Sequence, residues 1–105
     1  MTKLLSQEQV NQYQDSGFVS PVDVLDQEEI NRCLTEIEIF ENETGKPIDF
    51  PHKSRCHQLF SWADYLIHHP KILDAVEDII GPDILCYHAT LWVKPPKSNS
   101  FVRWH

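Results

Sequence analysis

The chain has 105 residues, 41% of them hydrophobic, which is enough for one small globular domain. Its 16 acidic against 9 basic side chains leave a formal charge of -7, which argues against nucleic acid or an anionic membrane surface as partner. Cys33, Cys56 and Cys86 are odd in number and show no CxxC spacing; with no signal peptide and no run of membrane-spanning length, a soluble cytoplasmic protein is expected.

Ser6 and Gln9 read as a capping box, flanked by Leu5 and Val10 as a hydrophobic staple. The helix they start should end near Gly17. Phe18 to Val22 is a short extended segment that Pro21 confines to a sheet edge or a turn. The same helix grammar then repeats, with Asp26 as cap, Glu29 completing the box, and Leu25 and Ile30 as staple. Ile30, Cys33, Leu34, Ile37 and Phe40 recur at helical spacing up to Thr44-Gly45, with acidic residues opposite.

Residues 45–58 read as a loop, with Pro47, Pro51 and several basic or histidine side chains; loops of this length are commonly functional. Ser61 and Asp64 predict the start of a short third helix that ends before Pro70. Pro70 suits the first position of a fourth helix, where its missing N–H costs nothing, and Gly81-Pro82 stops it. Ile72, Leu73, Val76, Ile79 and Ile80 should form that helix's buried face. His68-His69 fall between the two helices, where an imidazole suits a helix end.

From Ile84 the period changes to two. Leu85, Tyr87, Ala89, Leu91 and Val93 alternate with Ile84, Cys86, His88, Thr90, Trp92 and Lys94, which predicts a strand. A turn over Pro95 to Ser100 leads into a second strand from Phe101 to His105. The expected fold class is therefore α+β, one domain over residues 1–105: a helical part to about residue 82, then strands over 84–105. Two strands leave open edges and an uncovered apolar face, so the chain reads as incomplete.

The stretch Leu91-Trp92-Val93-Lys94-Pro95-Pro96, followed by a short polar loop and Phe101-Val102-Arg103-Trp104-His105, resembles the phytanoyl-CoA dioxygenase family of non-haem Fe(II)/2-oxoglutarate-dependent oxygenases. His57 to Asp64 and His69 to Leu85 resemble that family's helical preface, and Leu5 to Phe18 also fits. The resemblance implies that this chain is the N-terminal portion of a longer oxygenase. Its fold would be a helical layer plus the first strands of a double-stranded β-helix, or jelly roll.

The same resemblance implies that His105 is the first metal ligand of a facial triad holding Fe(II), with the other ligands and a 2-oxoglutarate-binding Arg outside this sequence. It implies that Thr90 touches the 2-oxoglutarate co-substrate. For a family Lys that reaches the co-substrate, Lys53 matches by spacing and His57 by local sequence, and both stand as candidates. Dioxygen and an unidentified small organic substrate would complete the reaction, with the iron supplying the redox chemistry. One imidazole is too weak a grip for Fe(II), so the 105 residues alone should be inactive.

Each candidate has a plainer reading. Thr90 is also a β-branched residue suited to a strand, and His57 a loop histidine suited to a local hydrogen bond. Trp62, Trp92 and Trp104 read as core or barrel-wall residues, and Lys94 as solvent-exposed. Cys56-His57 and Cys86-x-His88 match no structural zinc spacing. Two alternatives stay open: a related non-haem iron halogenase, decided by the residue two beyond His105, and a non-catalytic helical interaction domain.

Overall fold

The computed structural model describes residues 2–99 and Phe101. Five helices follow in chain order: α1 (Gln7–Ser16), α2 (Gln27–Thr44), α3 (Cys56–Leu59), α4 (Ser61–Ile67) and α5 (Pro70–Ile80). Both long-helix starts are capping boxes. Ser6 Oγ accepts from the Gln9 N–H while Gln9 accepts from the Ser6 N–H, and Asp26 and Glu29 do the same for α2. Gly17 and Gly45 end these helices in the left-handed region, at φ 82° and 73°, where a side chain would be strained.

The later helices start where expected: Ser61 is the first residue of α4, with Phe60 at the cap position making no side-chain bond. The loop ends sooner than its composition indicates, because α3 begins at Cys56. Pro70 does open α5, and its cap is His69, whose Nδ1 accepts the Lys71 N–H at 3.1 Å. His68 ends α4, with Nδ1 2.9 Å from the Asp64 carbonyl.

Packing is pairwise and thin. α1 lies against α5, α2 against α4, and α4 contacts α3 and α5. Among the described residues the buried ones are Leu5, Val10, Cys33, Ile48, Cys56, Ala63 and one polar residue, His69. None of the α5 residues expected to be buried is fully so, and Ile80 is 62% exposed. An aromatic ladder joins α2 to the α3–α4 corner, with Phe40 edge-on to Phe60 at 4.9 Å and Phe60 stacked on Trp62 at 5.8 Å. The N-terminal segment is tied to α5 by Asp78, whose carboxylate accepts the backbone N–H groups of Lys3, Leu4 and Leu5 at 2.7–2.8 Å. That seats Leu5 in the core.

The expected α+β class is overturned. Among the described residues the structure is helical, with no strand of a sheet and no jelly-roll layer. Residues 83–95 carry no regular secondary structure, and their β pairing is one isolated antiparallel bridge between Ser54 and Thr90. The period-two pattern encodes an extended backbone, but a strand also needs a partner of matching length. The segment opposite is short: Pro51 precedes it, and the chain coils into α3 at Cys56. The second predicted strand, Phe101 to His105, falls outside the described residues except for Phe101.

Candidate functional site

The bridge sets the geometry around three of the four sequence candidates. The Leu91 N–H donates to the Lys53 carbonyl at 2.9 Å, and the Cys56 N–H to the Ala89 carbonyl at 3.2 Å. Cys56 Sγ lies 3.7 Å from the same carbonyl. Arg55, at φ 55°, supplies the left-handed turn that carries the chain from the bridge into α3. Lys53, His57 and Thr90 therefore meet at one junction, although 33 to 37 positions separate Thr90 from the other two in the chain.

Their side chains are not used alike. Residues directly opposite on an antiparallel pair point to the same face, so Ser54 shares the face of Thr90 and Lys53 is turned to the other. Lys53 Nζ sits 3.1 Å from Asp49 Oδ1. The Asp49 carboxyl is held below its ordinary range, first by the Phe50 N–H and then by Lys53. Thr90 Oγ1 lies 2.7 Å from His88 Nε2, as alternation requires of residues two apart on one face. Ser54 and His88 are the two neighbours of Thr90 that were not singled out as candidates. The alternation already puts His88 on the face of Thr90; Ser54 depends on the bridge.

His57 occupies the first turn of α3. Its Nδ1 is buried without a hydrogen-bond partner among the described residues, as is the Trp62 indole N–H nearby. The local hydrogen bond expected of a loop histidine is therefore absent there. Trp92 is 75% exposed rather than part of a wall, and Lys94 is exposed as expected.

As a donor set, the Ser54 and Thr90 hydroxyls with the His88 imidazole suit a carboxylate ligand, while the Lys53 ammonium lies on the opposite face. Iron is a different matter. Among the described residues no three His, Cys, Asp or Glu side chains group as metal ligands, and His105 lies outside them. The described residues do not make an iron centre. Zinc fares no better, and burial pushes the Cys56 and Cys33 thiols up, away from the thiolate that metal binding or nucleophilic catalysis needs.

Elsewhere the chain offers apolar space or structural bonds. An apolar groove of about 660 Å³ runs between α1, the 17–24 segment and α5, lined by residues such as Tyr13, Phe18, Val22, Val76 and Ile79. At the α2–α4–α5 junction, Glu29 Oε2 accepts from the Tyr65 hydroxyl at 2.5 Å and from His69 Nε2 at 2.6 Å. His69 Nδ1 is itself an acceptor, so its proton is on Nε2. Both imidazole nitrogens are thus committed inside the fold. This cluster joins helices and has no group free for chemistry.

The fold and the junction together define a small helical unit carrying an extended arm whose one β bridge among the described residues is Ser54–Thr90. Comparison with models of known protein families, with curated proteins and with solved structures gives no match in any of the three. No helix among the described residues is long and apolar enough to cross a membrane.

Proposed function

We propose that this chain is the helical N-terminal layer of a non-haem Fe(II)/2-oxoglutarate-dependent oxygenase, and that its share of the site is to bind the co-substrate. The observation that carries this reading is the Ser54–Thr90 bridge. It joins the backbone next to Lys53, matched by spacing, and His57, matched by local sequence, to the segment holding Thr90, although the Lys53 side chain is turned to the opposite face. The exposed arm supports the reading as well. Leu85 is 86%, Tyr87 93% and Val93 67% exposed, apolar side chains suited to cover by a further segment.

In this reading Thr90 and its neighbours receive a carboxylate of 2-oxoglutarate. His105 would be one metal ligand, and bound iron would supply the redox chemistry with dioxygen. The substrate is a small organic molecule, hydroxylated, or halogenated if the residue two beyond His105 is not an acid. These residues alone do not catalyse. Three unpaired thiols suit a reducing, cytoplasmic setting.

The test is to supply the complete product of the gene with Fe(II), 2-oxoglutarate and dioxygen, and to follow 2-oxoglutarate loss. Consumption that needs iron is expected. A product that neither binds nor consumes 2-oxoglutarate with iron present overturns the reading. The competing reading, a non-catalytic interaction module, is favoured by the exposed apolar residues of α2, Leu34 at 52% and Ile39 at 45%. It predicts no 2-oxoglutarate binding at all.

A further inference from the structure

We propose that Ser54, His88 and Thr90 together seat a carboxylate of the oxo-acid co-substrate, with His88 as the positioning residue that turns the Thr90 hydroxyl into a donor. The proposal rests on the oxygenase reading above and deepens it by naming Ser54 and His88. The bridge puts the Ser54 and Thr90 side chains on one face, and His88 Nε2 stands 2.7 Å from Thr90 Oγ1 on that same face. Lys53 is turned to the opposite face and engaged by Asp49, which leaves hydroxyls and imidazole as the polar groups next to Thr90.

The chemistry turns on one proton. An ionised carboxylate only accepts hydrogen bonds, and a threonine hydroxyl has a single hydrogen to give. When His88 Nε2 is bare, it takes that hydrogen, and the hydroxyl offers the ligand lone pairs alone. When Nε2 carries the proton, the imidazole donates to Oγ1 and the hydroxyl hydrogen is free to point at the carboxylate. A chain of donors then runs from Nε2–H through Oγ1–H to the ligand oxygen, and each bond polarises the next. Carboxylate binding therefore selects the His88 form protonated on Nε2. Ser54, free of side-chain partners among the described residues, adds a second O–H.

Titration of the 15N-labelled chain with 2-oxoglutarate tests this, read from the amides of Ser54, His88, Thr90 and Leu91 and from the Trp92 indole. Saturable shifts confined to that face are expected. His88→Ala should weaken binding about threefold to tenfold, the worth of one ordinary hydrogen bond. His88→Gln, whose amide can still donate, should recover most of the loss, whereas His88→Glu should not. Thr90→Val should weaken binding at least as much as His88→Ala. Both the His88 side chain and its bond to Thr90 are exposed, so these variants should keep the wild-type helical signal. If Thr90→Val weakens binding and His88→Ala does not, the positioning role is wrong while the oxygenase reading stands. If 2-oxoglutarate shifts no resonance on this face of the wild-type chain, the seat is wrong. If the complete gene product with iron also ignores it, the oxygenase reading falls too.

Discussion

Glu29 holds one oxygen against the Tyr65 hydroxyl and the His69 imidazole, which lie 36 and 40 positions further along the chain. Its other oxygen accepts the Asp26 N–H, the local bond of the capping box. The Tyr65 hydroxyl first, the Asp26 N–H next and His69 after them favour the ionised form and hold the carboxyl at about 2, below its ordinary 4.5. The Tyr65 hydroxyl is pushed up in return. A carboxyl depressed in the folded state adds stability that is complete above its unfolded pKa and is lost as pH falls towards the folded one. The window here is from about 4.5 down to about 2. Glu29→Gln should lower the urea midpoint at pH 7, and the gap to wild type should shrink through that window. A gap unchanged at pH 2.5 would show that the carboxylate's charge is not what matters. The Asp26–Glu29 half of this cluster was legible from residue spacing three apart. The Tyr65 and His69 half was not, because only packing of α4 and α5 on α2 brings those groups to the same oxygen.

Helix ends were the most legible elements, since their signals are local. Gly45 shows why. The chain must leave α2 at φ 73°, and a Cβ built there meets nothing within 4 Å, so the demand for glycine is backbone strain alone. Gly45→Ala should therefore cost about 1 kcal/mol by urea denaturation, and Gly45→Asn less, because asparagine tolerates the left-handed region. An equal cost for both would point to a lost contact instead. His69→Ala should cost about 1 kcal/mol or more, since it removes the α5 cap along with the Glu29 bond. Sequence patterns failed where two segments had to meet. Residues 45–58 looked like one loop, yet α3 begins at Cys56 and runs through Phe60 directly into α4. Residues 84–94 looked like a strand, yet the pattern states only what each side chain prefers and says nothing of what lies alongside. For the candidate site the same limit applies. Alternation placed Thr90 with His88, but the turn at Arg55 and the bridge at Ser54 decided that Lys53 points away.

At the scale of the molecule, burial is sparse for the chain's length. The Cα radius of gyration is 15.9 Å, against about 13 Å for a compact domain of this size. Among the described residues no large side chain is fully buried, while Tyr87, Leu85, Trp92, Phe101 and Val93 are each at least 67% exposed. Among the described residues these arm side chains stay largely open, and amide exchange should report that directly. In the isolated chain the Leu91 and Cys56 amides, which donate across the junction, should be protected. The amides of residues 84–88 and of Trp92 to Lys94 should exchange close to the free rate. Where a partner segment covers the arm, protection should extend along it in alternation, because successive amides of an extended backbone point to opposite edges. Thr90→Pro separates the two contributions. It removes an N–H that takes no part in the bonds to Lys53 and Ala89, so junction protection should survive while any bond at the outer edge is lost. Uniform protection of residues 84–94 in the isolated chain would mean that the arm already has a partner, and would remove the exposed arm as support for the oxygenase reading.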